Sequence, residues 1–359
     1  MPNQTGGAGP GARGGLDSRL IEFLGLNAAR KRGVRQFGMV WAATALLMIV
    51  AAFIAPSAVT GTSLLSMLPF ASVLAIVAVG ETLVIQQRGL DFSVGGAISL
   101  TIVFMTKFPQ GHTLFLTIVV ALAVLALAGF LSGIAVVVFN MPSLVATLGM
   151  NAILGGVAQW YSGGTVTAAT PDLNSFMTSR ALGIPTPAWI ALAVIAVVSF
   201  AVGRTTSGRK FVAIGANVEA VRVSGARTMW NQVGTYVFAA MCYGVAGIIY
   251  TGYLDTPAVN GGDQYLLSGV SAVVIGGTAL TGGRGSIVAT AVAAFFLQQL
   301  SQVVFALGAS ASTQYIVDAL AIAAAMVLKP LIGGDALNGV RRTSAAMLSR
   351  RARRVAMRS

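Results

Sequence analysis

The chain of 359 residues is 56% hydrophobic and only 9% charged, and its mean hydropathy is +0.82. An ordinary soluble domain carries about 25% charged residues, so this chain has too few polar side chains to cover a surface that faces water. The composition therefore excludes a soluble or a disordered protein, and it argues against an outer-membrane barrel, whose strands alternate apolar and polar residues. We expect an all-α, polytopic membrane protein.

The net charge is +13, from 23 Lys and Arg residues against 10 Asp and Glu residues. In a soluble protein this excess would suggest a nucleic-acid partner. Here the basic residues cluster between apolar stretches, as the positive-inside bias of membrane proteins requires, so we predict no nucleic-acid partner. The single cysteine, Cys242, excludes a disulfide within the chain and a metal site built from cysteines.

Ten apolar runs have about the length of a membrane span. The third and the eighth are short, which predicts tilted or partly re-entrant segments. A weak similarity between residues 90–95 and 267–272 suggests two repeats of opposite membrane orientation, a common transporter design. The ten runs cover residues 37–55, 64–86, 93–107, 113–139, 142–162, 187–203, 231–254, 266–280, 286–307 and 313–332.

The distribution of basic residues predicts the orientation of these spans. If both termini are cytoplasmic, every Lys and Arg except Lys107 and Arg180 lies on the cytoplasmic side. An odd number of spans would destroy this asymmetry, so we predict ten. The predicted organisation is a disordered basic tail over 1–36, a membrane domain over 37–332 with a cytoplasmic loop at about 204–230, and a basic tail over 333–359.

Motifs for catalysis and for ATP binding are missing from the sequence. The segment that comes nearest to a phosphate-binding loop, Gly277 to Arg284, lacks the Lys-Ser/Thr pair and predicts a tight turn between helices. No His, Cys, Asp or Glu residues have the spacing of a metal site, and the single histidine, His112, lies at the edge of an apolar run. A membrane-embedded enzyme is therefore the weakest hypothesis, and we predict no catalytic residues, no metal and no cofactor.

Three acidic residues are candidates for ionisable groups within the membrane. Glu81 lies deep in the second run, Asp91 near the start of the third and Asp318 in the tenth. Burial of Glu81 is costly, so it should pair internally or line a wet cavity. Asp91 can serve as an N-cap that accepts backbone N–H groups of the following turn. An ion-coupled secondary carrier that uses Glu81 and Asp318 is the alternative function.

A short helix is predicted within the cytoplasmic loop. Asn217 is a good N-cap, Glu219 suits the positive start of a helix, and Gly225 is a natural stop. A helix of about two turns is marginal in water and needs a surface to pack on. The partner is either the membrane face of this protein or a separate cytoplasmic subunit.

Four segments, in this order, resemble one known family. They read GETLVI followed by GLDFSVG over 80–95, PSLVATLG over 142–149, a GRKFVAIGANVEAVRVSG stretch over 208–225, and AVVIGGT followed by GGRG over 272–285. Together they are similar to the permease subunits of sugar-type ABC importers, the group that contains ribose and xylose permeases.

This resemblance implies a permease that moves a monosaccharide or a related small polar solute, such as a polyol, by alternating access through a bacterial inner membrane. It implies a separate ATPase subunit that uses the ATP, a periplasmic or extracellular solute-binding protein, a second permease copy or a related permease, and contact with membrane lipid. The candidate residues for coupling to the ATPase are Gly215, Asn217, Glu219, Ala220, Arg222 and Gly225. The candidates for the translocation pathway are Glu81, Asp91, Ser93, Thr147 and Asn151.

One segment departs from the family pattern. The family commonly has two acidic residues before its A-V-V-L-G-G-T motif, where this chain has Leu266 and Ser268. If those acids help to form the external gate or the sugar path, this chain handles its solute differently.

Overall fold

Long apolar helices make up most of the molecule. The computed structural model describes residues 38–109 and 111–310, together with 312–314, 316–317, 319–321 and 323–324. The predicted tails over 1–36 and 333–359, and Asp318, lie outside these residues.

The described helices and strands follow one another along the chain, with a single 3-10 turn over Pro56–Val59 between the first two helices. In chain order they are α1 Gly38–Ile54, α2 Gly61–Gln86, α3 Val94–Lys107, α4 Leu114–Val137, α5 Ser143–Ser162, α6 Pro171–Thr178, β1 Arg180–Ala181, β2 Ile184–Pro185, α7 Thr186–Arg204, α8 Thr206–Ala216, α9 Val218–Val223, α10 Thr228–Leu254, α11 Gln264–Ile275 and α12 Ile287–Ala306.

The first nine apolar runs of the sequence coincide with helices. The eighth run is the one whose predicted length was wrong, because α11 ends at Ile275 and the next two residues are glycines, of which Gly277 has a φ of +90°. By length and composition, α2, α4, α7, α10 and α12 can each cross a membrane. The helical membrane protein is thus confirmed, whereas the count of ten spans and the cytoplasmic termini stay predictions.

Helix α2 is the centre of the helical unit. It packs against α7, α10, α11 and α12, and 89% of its apolar stretch is buried. A helix that is apolar on all sides is covered either by other helices or by lipid, and α2 is covered by helices. Helix α7 is the opposite case, with 17% of its stretch buried, so most of its apolar surface is left for lipid.

Three connections that were all predicted to be cytoplasmic meet at one end of α2. The backbone N–H of Gly283, in the turn after α11, donates to the carbonyl of Gln86 at 2.9 Å. The Gln87 side chain donates from Nε2 to the carbonyl of Phe211 in α8 at 2.7 Å. Their proximity agrees with a common side of the membrane.

The segments predicted to be external meet at the other end. Thr167 donates from Oγ1 to the carbonyl of Thr106 in α3 at 2.7 Å, and the N–H of Ala169 donates to the carbonyl of Asp255 at 2.8 Å. Helix α6 and the β1–β2 hairpin lie within this segment, which was expected to be a loop. Both elements are too short to carry a periodic pattern.

Candidate functional site

The backbone is not helical between α2 and α3, over residues 87–93. Arg88 has a φ of +65°, which turns the chain back toward the interior, and Asp91 is 1% exposed. Helix α3 is short because the non-helical segment before it spans part of the distance across the membrane. Within a membrane such backbone is tolerated only where its polar groups find partners in the protein or in a wet cavity.

One face of α5 supplies those partners. The backbone N–H groups of Leu90 and Phe92 donate to Oγ of Ser143 and Oγ1 of Thr147, both at 3.0 Å. The N–H of Gly96 donates to Oδ1 of Asn151 at 2.6 Å. The three α5 residues are spaced by four, so one helix face carries all three acceptors. This face holds the broken segment in place.

Asp91 binds the same segment from within. Its Oδ1 accepts the backbone N–H of Ser93 at 3.0 Å and the Ser93 hydroxyl at 2.6 Å, while the Tyr243 hydroxyl donates to Oδ2 at 3.4 Å. The expectation that Asp91 accepts a backbone N–H is confirmed. Its position at the N-cap was wrong, because α3 begins later and Ser93 is the N-cap residue.

Glu81 differs from Asp91 although both are buried. Glu81 lies in α2 and is fully buried, and neither of its carboxylate oxygens has a hydrogen-bond partner among the described residues. The internal pairing expected for Glu81 is thus not found there. Gly269 of α11 lies beside it and leaves room for its side chain, since a Cβ at that position would be 3.5 Å from Cγ of Glu81.

The five pathway candidates gather around this break. The ring of Tyr243 packs on Gly80, the residue before Glu81, and its hydroxyl donates to Asp91. The side chains of Thr147 and Asn151 accept hydrogen bonds from backbone N–H groups, so these residues stabilise the segment that they contact. Sequence reasoning missed Ser143 and Tyr243, although the spacing of Ser143 from Thr147 and Asn151 was a usable signal.

The two short helices, α3 and α11, begin close together. Gly262, just before α11, lies against the backbone of Gly95, and a Cβ on Gly95 would be 3.2 Å from Oδ1 of Asp263. Helix α11 also follows a non-helical stretch, residues 255–263. Two broken segments that meet near the middle of a bundle are typical of inverted repeats, which stay a prediction for this chain.

The basic loop between α7 and α10, which was predicted to be cytoplasmic, contains the predicted short helix and a second one. In α9, Oδ1 of Asn217 accepts the N–H of Ala220 at 3.1 Å, and Gly225 follows the helix with a φ of +82°. The predicted cap and stop are therefore confirmed. Helix α8 was missed, because its glycines and its mixed basic and apolar residues conceal its helical period.

The end of α8 is joined to the end of α2. Arg88 donates from Nε to the carbonyl of Gly215 at 2.9 Å and from Nη2 to the carbonyl of Ala216. A Cβ on Gly215 would overlap the carbonyl oxygen of Gln86, so only glycine fits there. Gly283 approaches Ala216 from the turn after α11. Arg88 is the residue of this joint that sequence reasoning missed.

Helix α9 itself buries none of its residues. Glu219 and Arg222 form an ion pair at 3.0 Å whose side chains are 68% and 61% exposed. Val223 is 88% exposed, which is unusual for an aliphatic side chain at the end of a helix. Five of the six coupling candidates thus lie on an open surface, while the sixth, Gly215, is buried and connects them to the break.

Comparison with known proteins identifies the family. Residues 63–326 match the family described as branched-chain amino acid transport system permease components. The chain belongs to this permease family. The family predicted from the four motifs is thereby confirmed.

Individual relatives are import permeases. The permease is 33% identical to the ribose import permease protein of Escherichia coli, over 82% of this chain and 96% of the relative. It is 32% identical to the ribose import permease protein of Haemophilus influenzae, over 80% and 91%. It is 28% identical to the autoinducer 2 import system permease protein of Salmonella choleraesuis, over 73% and 77%. No solved structure matches the permease.

Proposed function

We propose that this permease moves a monosaccharide or a related small polar solute into the cytoplasm as the membrane subunit of an ABC importer. The relatives named for ribose import cover almost their whole length, which supports a sugar-like solute. The relative named for autoinducer 2 import matches as well, so the solute class extends beyond one pentose. The membrane is the bacterial inner membrane, where import permeases operate.

The observation that carries the proposal is the joint between α9, α8 and α2. Helix α9 exposes its side chains to a partner, and its base is bonded through Gly215 and Ala216 to Arg88. Arg88 stands three residues before Asp91, at the start of the segment that α5 holds. A displacement of α9 therefore reaches the broken segment through hydrogen bonds and packed backbone.

The mechanism is alternating access driven by a separate ATPase. When the ATPase subunits close on ATP, α9 moves with the surface on which it docks, and α8 carries this motion to the ends of α2 and α11. The broken segment over 87–93 then changes its position relative to α5 and opens the path to one side. The Glu219–Arg222 pair and the N-cap of Asn217 keep α9 rigid during this movement.

The chain needs partners for this activity. An ATPase subunit docks on α9, a solute-binding protein delivers the solute at the opposite face, and a second permease, either a copy or a related chain, completes the pore. Leu266 and Ser268 stand where the family commonly has acids, and Ser268 donates to the carbonyl of Gln264 at 2.9 Å within α11. This site therefore presents fewer negative charges to an incoming solute.

The test is affinity purification of the permease from its native membrane, followed by identification of the proteins that accompany it. Val223→Asp should abolish recovery of the ATPase and ATP-driven uptake, because it places a charge on the exposed apolar end of α9. Leu182→Asp is the matched control, since Leu182 is 91% exposed in the β1–β2 hairpin at the other end of the molecule.

Both variants should keep the unfolding temperature of the wild-type permease. Uptake into liposomes that lack an ATPase, driven by an ion gradient, would overturn the proposal and favour the carrier based on Glu81 and Asp318.

A further inference from the structure

A groove runs between α7 and α10 and is closed at one end by α8. Its volume is about 290 Å³. Leu83 of α2 forms its floor, because α7 and α10 both pack against α2 and leave a space between them. The residues that line its sides include Val197, Val198, Ala201 and Val202 of α7 and Trp230, Gly234 and Phe238 of α10.

The walls of the groove are apolar along its length. Trp230, Gly234 and Phe238 are spaced by four, so they form one face of α10, with the glycine leaving the space between the two rings. Among the described residues, no atom lies within 4 Å of the position that a Cβ on Gly234 would take. Val197 and Phe238 are 66% and 57% exposed at the mouth. The groove thus opens sideways from the bundle, on the surface that faces lipid.

Four basic residues stand close in sequence to the residues that line the end of the groove near α8. Arg204 ends α7, Arg209 and Lys210 lie in α8, and Arg227 immediately precedes α10, and all four are exposed. Among the described residues the salt bridge that forms is Glu219–Arg222, so none of these four has an acidic partner there. The end of the groove therefore carries an uncompensated positive charge.

Trp230 indicates that this end of the groove lies at the level of the lipid headgroups. It is 55% exposed at the start of α10, and tryptophan is enriched where lipid headgroups meet the acyl chains. Thr205, Ser207 and Asn231 line the same end and place polar groups beside it. The apolar walls of the groove thus end near a tryptophan, several polar side chains and four basic residues.

We propose that this groove binds one acyl chain of an anionic phospholipid, with the lipid phosphate among Arg204, Arg209 and Arg227. Charge complementarity selects this occupant, because basic pockets at the cytoplasmic ends of membrane helices attract acidic headgroups. A second copy of this chain facing the groove in a symmetric pair would bring the same positive rim and be repelled. A polar solute would leave the apolar walls in contact with water.

The lipid site adjoins the segment assigned to coupling. Gly208 and Phe211 of α8 line the groove, so a bound chain supports α8 from the membrane side. Binding of the lipid does not depend on the proposed function. An effect of the bound lipid on transport does depend on the proposed function, because that function assigns to α8 the link between α9 and Arg88.

The experiment is native mass spectrometry of the purified permease after exchange into phosphatidylglycerol or phosphatidylcholine of identical acyl chains. We expect one phosphatidylglycerol to be retained and to raise the unfolding temperature. Ala201→Trp should abolish this by filling the groove, and Gly234→Leu does the same from the opposite wall. Arg204→Gln combined with Arg209→Gln should weaken retention by about tenfold or more, since each base near an anionic surface contributes to binding.

Two matched controls separate the site from general effects. Lys107→Gln combined with Arg180→Gln removes the same charge at the other end of the molecule, and Ala152→Trp adds the same bulk to an exposed position of α5. Both should retain phosphatidylglycerol as the wild type does. Equal retention of phosphatidylcholine, or unchanged retention by the groove variants, would overturn the proposal. Protection by glycerol phosphate alone would also overturn it, by indicating a free phosphate site.

Loss of retention with intact ATPase recovery would leave the proposed function standing. Loss of ATPase recovery with intact retention would leave the lipid site standing. The two proposals can therefore fail separately.

Discussion

The broken segment over 87–93 and helix α9 are both short stretches that carry polar groups, yet they are stabilised in opposite ways. In the broken segment and the first turn of α3, backbone donors are bonded by Ser143, Thr147 and Asn151 from a neighbouring helix. In α9, the polar contacts are local, from Asn217 to Ala220 and from Glu219 to Arg222. The polar groups of the broken segment are bonded by other parts of the chain, whereas none of the residues of α9 is buried.

This difference separates structural effects from effects on coupling. Substitutions around the broken segment should act on the stability of the permease itself, since unbonded polar groups are costly in an apolar interior. Substitutions on α9 should leave stability almost unchanged, since an exposed pair at i and i+3 contributes only about 0.5 kcal/mol or less. Substitutions at the joint between the two regions should affect both.

The largest effect is expected at Gly215. In Gly215→Val the new side chain overlaps the carbonyl of Gln86, and overpacking of this kind costs about 1–3 kcal/mol. Uptake coupled to ATP hydrolysis should fall to background in reconstituted vesicles, because α8 can no longer seat on the end of α2. Gly203→Val is the control, since no atom in the part of the chain that the structure describes lies within 4 Å of a Cβ at Gly203. Equal uptake by both variants would contradict a tight joint at Gly215.

The next effect is expected at Arg88, which in the proposed mechanism transmits motion from α8 to the broken segment. Arg88→Gly and Arg88→Ala both remove the bonds to Gly215 and Ala216, so both should raise the ATP hydrolysed per solute molecule transported. They should differ in stability, because the φ of +65° suits glycine but costs other residues about 1–2 kcal/mol. A normal ratio of ATP to solute in both variants would show that Arg88 is purely structural.

A smaller effect is expected on α5. Asn151→Leu leaves the N–H of Gly96 without its acceptor, which should lower the free energy of unfolding by about 1–3 kcal/mol in detergent micelles. Gln159→Leu makes the same chemical change at an exposed position of the same helix and should have little effect. If both variants unfold alike, the polar face of α5 does not support the broken segment.

The smallest effect is expected at Glu81. Glu81→Gln removes an ionisable group whose carboxylate oxygens have no hydrogen-bond partner among the described residues, so stability should stay the same or increase. Uptake driven by ATP should persist, because the proposed mechanism assigns no proton or ion transfer to Glu81. Loss of uptake at unchanged stability would instead favour the ion-coupled carrier. Asp91→Leu provides the contrast, since it removes three hydrogen bonds and should destabilise the permease.

Local patterns were sufficient for several of these features. The apolar runs predicted the long helices because a span needs continuous apolar length, and Asn217 and Gly225 predicted the ends of α9 because caps act within one turn. The family motifs led to the correct family. The end of α11, the helix α8 and the N-cap at Ser93 were not predicted, since each depends on glycine-rich or mixed sequence whose conformation is set by neighbouring helices.

By itself, the sequence of this permease determined the class of protein, the positions of the apolar helices and the short helix in the basic loop, all of which follow from composition and from contacts within a few residues. Only the tertiary structure decided which polar side chains bond to the broken segment and that Arg88 joins it to α8. These contacts connect residues that are 53 to 128 positions apart along the chain. Such pairings have no local signature, because they arise when the burial of apolar surface forces separate helices together and each buried polar group must then find a partner.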